Sequence, residues 1–155
     1  MQLAWVYLLV DELPAAGESA RVATRFGYPM TRDGAFLVLG VVALRRGDFS
    51  GALSALQAAL HHSDELLARN PQNTGALDVK GLAFCALALC DNVKHLDAAR
   101  DAFEAALAIN SASGVTKLVL QQFDALARAD KTGLLAPLRV IASGGSGKKS
   151  ASEVA

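Results

Sequence analysis

Aromatic side chains make up only 6% of the 155 residues, with a single tryptophan, so large ring stacks cannot dominate the core. A chain that is 52% hydrophobic must then build its interior from Ala, Leu and Val, which favours close helix–helix packing. Charge of either sign is not in excess, with 15 basic against 15 acidic residues and a pI near 6.8. That balance argues against a general nucleic-acid binder, which carries a basic excess or stripe. No stretch approaches the roughly 18 uninterrupted apolar residues that a membrane span needs. The N-terminal MQLAWVYLLV has no Lys or Arg before it and is closed by Asp11 and Glu12, so a signal peptide is not expected and a cytoplasmic setting is. The only two cysteines, Cys85 and Cys90, are five apart on one expected helix. They point in different directions there and are read as small buried hydrophobes in a reducing compartment, not as a disulfide or metal pair.

Periodicity is what the chain does have. Phe36–Leu60 and Leu77–Asn110 each contain an apolar segment with an internal glycine, a polar turn and an Ala-rich amphipathic segment. In the first, Leu37, Gly40, Val41 and Leu44 keep helical spacing, and after Gly47-Asp48 the series Phe49, Ala52, Leu53, Leu56, Ala59, Leu60 continues it. In the second, Leu96, Ala99, Phe103, Ala106 and Leu107 repeat the pattern. A short turn between two amphipathic helices makes an antiparallel hairpin. A degenerate third copy opens the chain, with Ala4 and Tyr7, then Leu13 at a turn, Pro14 in a first helical turn, and Ala16, Ala20 and Ala23.

On Gly40, Gly47-Asp48-Phe49, Ala52, Leu56 and Ala59, and again on Gly81, Ala99, Phe103 and Ala106, the chain resembles the tetratricopeptide repeat. The expected fold is therefore all-α: an antiparallel helix-hairpin (tetratricopeptide-like) solenoid of about three repeats. The repeats are longer than the usual of about 34 residues, with helix two of the middle copy running through HHSDELLAR to Asn70-Pro71. Ser113–Asp130 is expected to form a covering helix over the last repeat, with Leu118, Val119, Phe123, Leu126 and Ala127 as its apolar stripe and Gln121, Gln122 and Asp124 outward. LLAPLRVIA then reads as a short helix or extended segment interrupted by Pro137. The repeat domain is placed at 1–141 and a flexible Gly/Ser/Lys tail at 142–155.

Three candidate chemistries are weak. ASGGSGKKS, from Ala142, imitates a phosphate-binding loop, but Ala142 replaces its first glycine, Lys149 stands at the hydroxyl position, and too few residues follow to form a helix. His61 and His62 with Asp64 and Glu65 offer metal-ligand types without a third ligand at matched spacing, and His95 with Asp91 offers less. Ser54 and Ser63 have no base-and-orienter set. No enzyme activity, cofactor or metal is expected.

The resemblance instead implies a groove lined by the first helix of each repeat. Matched by position, Trp5, Val41 and Leu82 form one row, and Leu8, Leu44 and Cys85 the next, with Arg45 beside them. The carboxylate-clamping Lys, Asn and Arg set of one subfamily is missing. The expected function is a non-catalytic scaffold or adaptor whose groove, anchored by Trp5, Leu8, Val41, Leu44, Leu82 and Arg45, takes a protein or peptide partner such as an amphipathic helix, or is filled by another part of the same assembly. The alternative for these residues is ordinary core between hairpins. Nucleic acid and membrane are not expected as partners. Two other functional readings stay open: the terminal part of the sensor array of a larger transcriptional regulator, and a homo-oligomer formed through the apolar N-terminal helix.

Overall fold

The computed structural model describes residues 1–90 and 93–145, and these contain helices and turns but no strand. Eight α-helices follow in order: α1 (Gln2–Leu9), α2 (Leu13–Phe26), α3 (Arg32–Arg45), α4 (Phe49–Arg69), α5 (Thr74–Cys90), α6 (His95–Ile109), α7 (Ser113–Ala127) and α8 (Ala136–Ala142), with a 3-10 turn at Pro29–Thr31. The first six pair as α1–α2, α3–α4 and α5–α6, each second helix also touching the next hairpin. The first helices α1, α3 and α5 are neighbours along one side. All four prolines punctuate these elements. Pro14, Pro29 and Pro137 stand in first turns, where a missing N–H costs nothing, and Pro71 follows the end of α4.

Two hairpins turn by the same device. At the end of α3 the amide of Asp48 donates to Ala43 O at 2.9 Å and that of Gly47 to Leu44 O at 3.0 Å, with Gly47 in the left-handed region at φ +76°. Asp48 then caps α4 by accepting the Gly51 amide at 2.9 Å. At the end of α1 the pattern recurs: Glu12 N donates to Tyr7 O at 2.8 Å and Asp11 N to Leu8 O at 3.3 Å. Here the left-handed residue is Asp11, φ 70°, in the place where the second hairpin has glycine. A side chain in that conformation costs roughly 1–2 kcal/mol. Asp11 offsets this by holding two cations, Arg45 through Nη2 and Arg128 at 3.9 Å.

Within the hairpins, glycine sets the approach distance. A Cβ on Gly40 would lie 2.6 Å from Cδ2 of Leu56, and one on Gly81 would lie 2.7 Å from Cε1 of Phe103. Both partners are fully enclosed and have no free space to retreat into. Phe103 passes over Gly81 and meets Phe123 of α7 at a ring-centroid distance of 6.2 Å.

The C-terminal part departs from the sequence-based expectation. α7 does not simply cover the last hairpin; it packs against α5 and also reaches α1. Its buried residues are Val119, Phe123, Ala125 and Leu126, whereas Leu118, expected in the stripe, is exposed. Contact with α1 as well as α5 is in keeping with this changed face, on which Ala125 is buried. LLAPLRVIA is helical from Ala136, Pro137 starting α8 instead of interrupting it. α8 packs on α6 and α7, and Arg139 grips Asp124 with two hydrogen bonds of 2.7 and 2.9 Å. Ala142, assigned above to the tail, is 3% exposed and belongs to the folded part. The rest of the expected tail from residue 146, including Lys148, Lys149 and most of the loop-like motif, lies outside the described residues, as does Asp91.

Gly81→Ala is expected to destabilise the chain by about 1–3 kcal/mol through overpacking against Phe103. Gly114→Ala, in a helical site with nothing within 4 Å, is expected to be neutral or stabilising by up to about 1 kcal/mol. Denaturant melts of both variants check the pair, and equal effects would contradict the packing described.

Candidate functional site

The apolar residues expected to anchor a groove are core. Trp5 is 9% exposed, Leu44 7%, and Leu8, Val41 and Leu82 are essentially sealed. They share one continuous core with Val119, Phe123 and Leu126 of α7. These five side chains are thus closed to a partner, and α7 packs on α1 and α5 beside them. Leu44→Asp is accordingly expected to unfold the chain and reports nothing on docking. Arg45 is the exception among the six: its guanidinium reaches a polar neighbourhood, with Nη2 on Asp11.

Apolar surface is exposed elsewhere, on the outward side of the first hairpin. α1 carries no charged residue from Gln2 to Val10. One of its faces, Ala4, Trp5 and Leu8, is buried, while Leu3, Val6 and Val10, three and four residues apart, face solvent. On α2, Ala16, Gly17, Ala20 and Ala23 pack inward and leave Val22 and Phe26 outside. The connection to α3 adds Tyr28 and Met30. Phe26 and Tyr28 are each 82% exposed and Met30 72%. Leu3, Val22, Phe26 and Tyr28 line a groove of about 500 Å³, with Glu18 among its few polar wall residues. Scattered surface hydrophobes are ordinary; a contiguous set including two nearly bare aromatics on one groove is a mark of an interaction site. Sequence reading missed Val22, Phe26 and Tyr28 because the Ala16–Ala20–Ala23 stripe identified the inward face only. The signal was the cluster of large apolar residues in RVATRFGYPM that this stripe leaves unpaired.

The polar candidates resolve into local contacts. His62 stacks on Phe36 at 5.3 Å and bonds Glu65 at 3.0 Å, while His61 Nε2 lies 3.7 Å from the same carboxylate. The His62 hydrogen bond is the main reason Glu65 titrates below its ordinary range. Among the described residues no three His, Cys, Asp or Glu side chains gather as metal ligands would. Ser54 is exposed, and Ser63 is sealed beside Asp33, their oxygens 3.5 Å apart. Burial pushes the Asp33 carboxyl up, against the pull of the Gly34 amide and the Ser63 hydroxyl. Cys85 is buried, which raises its thiol far out of the reactive range. His95 opens α6 and stacks on Phe84 at 5.9 Å.

A second cavity, of about 560 Å³, lies where the α3–α4 turn, the end of α5 and the segment after α7 meet. Its cations are Arg45, Arg128 and Lys131, and Leu44, Phe49, Ala88, Leu89 and Leu134 supply apolar wall. Arg128 also donates from Nη2 to Leu9 O at 3.2 Å, tying the end of α7 to the end of α1. Asp130 lines the cavity too, but its oxygens accept the amides of Thr132, Gly133 and Leu135 at 3.2, 3.0 and 2.8 Å. Although desolvation raises the Asp130 carboxyl, the amides of Leu135, Leu134 and Thr132 and the Thr132 hydroxyl together outweigh it and hold it below its ordinary value.

Comparison with protein-family models, curated proteins and solved structures finds no match to this chain.

One carboxyl gives a pH test of the α5 environment. Burial raises Asp78 from 3.8 to about 7. The folded chain therefore holds a proton that the unfolded chain releases between about pH 4 and 7, so stability falls as pH rises through that window and levels off above it. Asp78→Asn is expected to flatten the slope and to stabilise at pH 8 by about 1–3 kcal/mol. Urea melts from pH 4 to 8 read both effects; an unchanged slope would contradict the assignment.

Proposed function

We propose that this chain is a non-catalytic protein-interaction module of tetratricopeptide-like construction, whose docking surface is the outward groove of its first hairpin. The construction is supported by the alternation of helix pairs, by the adjacency of α1, α3 and α5, and by the recurrence of one packing element. Gly40 under Leu56 and Gly81 under Phe103 place a first-helix glycine beneath a second-helix side chain in successive hairpins. A small residue at that point lets the helices close.

The docking surface rests on one observation: the contiguous apolar set of Leu3, Val22, Phe26 and Tyr28 around an open groove. The groove fits one apolar face of a partner's amphipathic helix, with the aromatic rings as anchors. This relocates the partner site from the inner face to the outer one.

Phe26→Asp tests the proposal, because a residue so exposed contributes little to folding and its replacement is expected to shift stability by no more than about 0.5 kcal/mol. Loss of an aromatic anchor is expected to weaken docking by at least about thirtyfold. Chemical cross-linking of the tagged chain in its host, followed by mass spectrometry, is expected to recover a partner with the native sequence and not with Phe26→Asp. Recovery of the same set with both would overturn the assignment. Light scattering on the purified chain adds a further readout. A dimer dispersed by Phe26→Asp would keep the surface and make the partner a second copy.

A further inference from the structure

The cavity at the α3–α4 turn has a composition that the docking proposal does not use. Three cations, Arg45, Arg128 and Lys131, converge on it from two parts of the chain more than eighty residues apart in sequence. Two carboxylates stand among them. Asp11 bridges Arg45 and Arg128, and Asp130 spends its oxygens on backbone amides. The local balance is one positive charge in excess. The Arg45 guanidinium is only 11% exposed; its Nη2 holds Asp11, and its Nη1 is closed to water and has no hydrogen-bond partner.

Lys131 is not needed to hold the fold: it is exposed, stands in the turn between α7 and α8, and has no ion pair among those of the described residues. Leu44, Phe49, Ala88, Leu89 and Leu134 supply apolar wall to the same cavity. The volume of about 560 Å³ lies within the range of small-molecule sites, which combine an apolar lining with a few convergent polar groups.

From these observations we infer that the cavity binds a small organic monoanion, a carboxylate carried on an apolar body. Its carboxylate meets Arg45, Arg128 and Lys131, and its apolar part lies against Phe49, Leu89 and Leu134. One excess positive charge matches a monoanion, whereas a phosphate dianion would leave a negative charge uncompensated. The planar fork of two guanidiniums suits a carboxylate for the same reason that Arg–carboxylate pairs are frequent. The site is separate from the outward groove, which has no Lys or Arg side chain among its lining residues.

Titration calorimetry on the full chain with hexanoate, hexanamide and inorganic phosphate tests the inference. Hexanoate is expected to bind, with affinity falling as salt rises, while the uncharged amide and phosphate bind at least about tenfold more weakly. Lys131→Ala, at an exposed turn position that leaves the fold intact, is expected to weaken hexanoate about tenfold. Arg45→Gln is expected to weaken it further if that variant folds. Phe26→Ser, in the outward groove, is expected to leave hexanoate binding unchanged. Equal binding of hexanoate and hexanamide would overturn the inference, as would indifference to Lys131→Ala. Loss of binding in Phe26→Ser would also overturn it, by placing the ligand in the other groove.

Discussion

Phe103 lies in the notch that Gly81 leaves in α5, and from that position its ring reaches Phe123 of α7. Much of the molecule depends on this contact. Without the glycine, α5 and α6 could not close, and Phe103 would have no route through to the inner side. Each phenylalanine contributes about 1.5–3 kcal/mol by leaving water, and the tilted ring pair about 0.5–1.5 kcal/mol more. The pair also fixes the second half of α7 against the third hairpin. Five residues on, Arg128 holds the Leu9 carbonyl at the end of α1 and the carboxylate of Asp11.

This course decides which surfaces remain for other molecules. The side of the hairpins formed by α1, α3 and α5 is apolar, and here Val119, Phe123 and Leu126 of α7 join Trp5, Val41 and Leu82 in one buried core. Among the described residues, most of the large exposed hydrophobics then lie at the first hairpin and its exit, where α1 has hydrophobic residues all round. The same C-terminal segment that closes the inner side carries Arg128 and Lys131 into the cavity beside Arg45. Asp11 links the two ends: in the place of a turn glycine it pays for a left-handed backbone with ion pairs that a glycine could not make.

Much of the helical framework was legible in the sequence, because it is written in local signals. Gly47-Asp48 marked a turn, Asn70-Pro71 a stop, Pro14 a start, and the Ala52–Leu56–Ala59 spacing an inward face; all four hold. Trp5, Val41 and Leu82, read as one groove row, all lie buried in the same core. What periodicity could not say was what lies on that surface. An inner face that waits for a partner and one filled by a later helix have the same residues. The difference lies in the long-range course of α7, for which the hints were indirect: Ala125 and the apolar LLAPLRVIA, more hydrophobic surface than one covering helix requires. Phe26 and Tyr28 went unread for the complementary reason, since an exposed aromatic breaks no periodic pattern.

The claim on which the account turns is that α7 seals the inner side of the hairpins, and Trp5 reports on it directly because it is the chain's single tryptophan. Acrylamide quenching of its fluorescence is expected to be slow in the native chain, with the emission of an indole in apolar surroundings. Quenching should become fast in a Phe123→Ser variant whose circular dichroism still shows the helical hairpins. Fast quenching of Trp5 in the native folded chain would contradict the account, because the inner face would then be open and the docking surface would return to it.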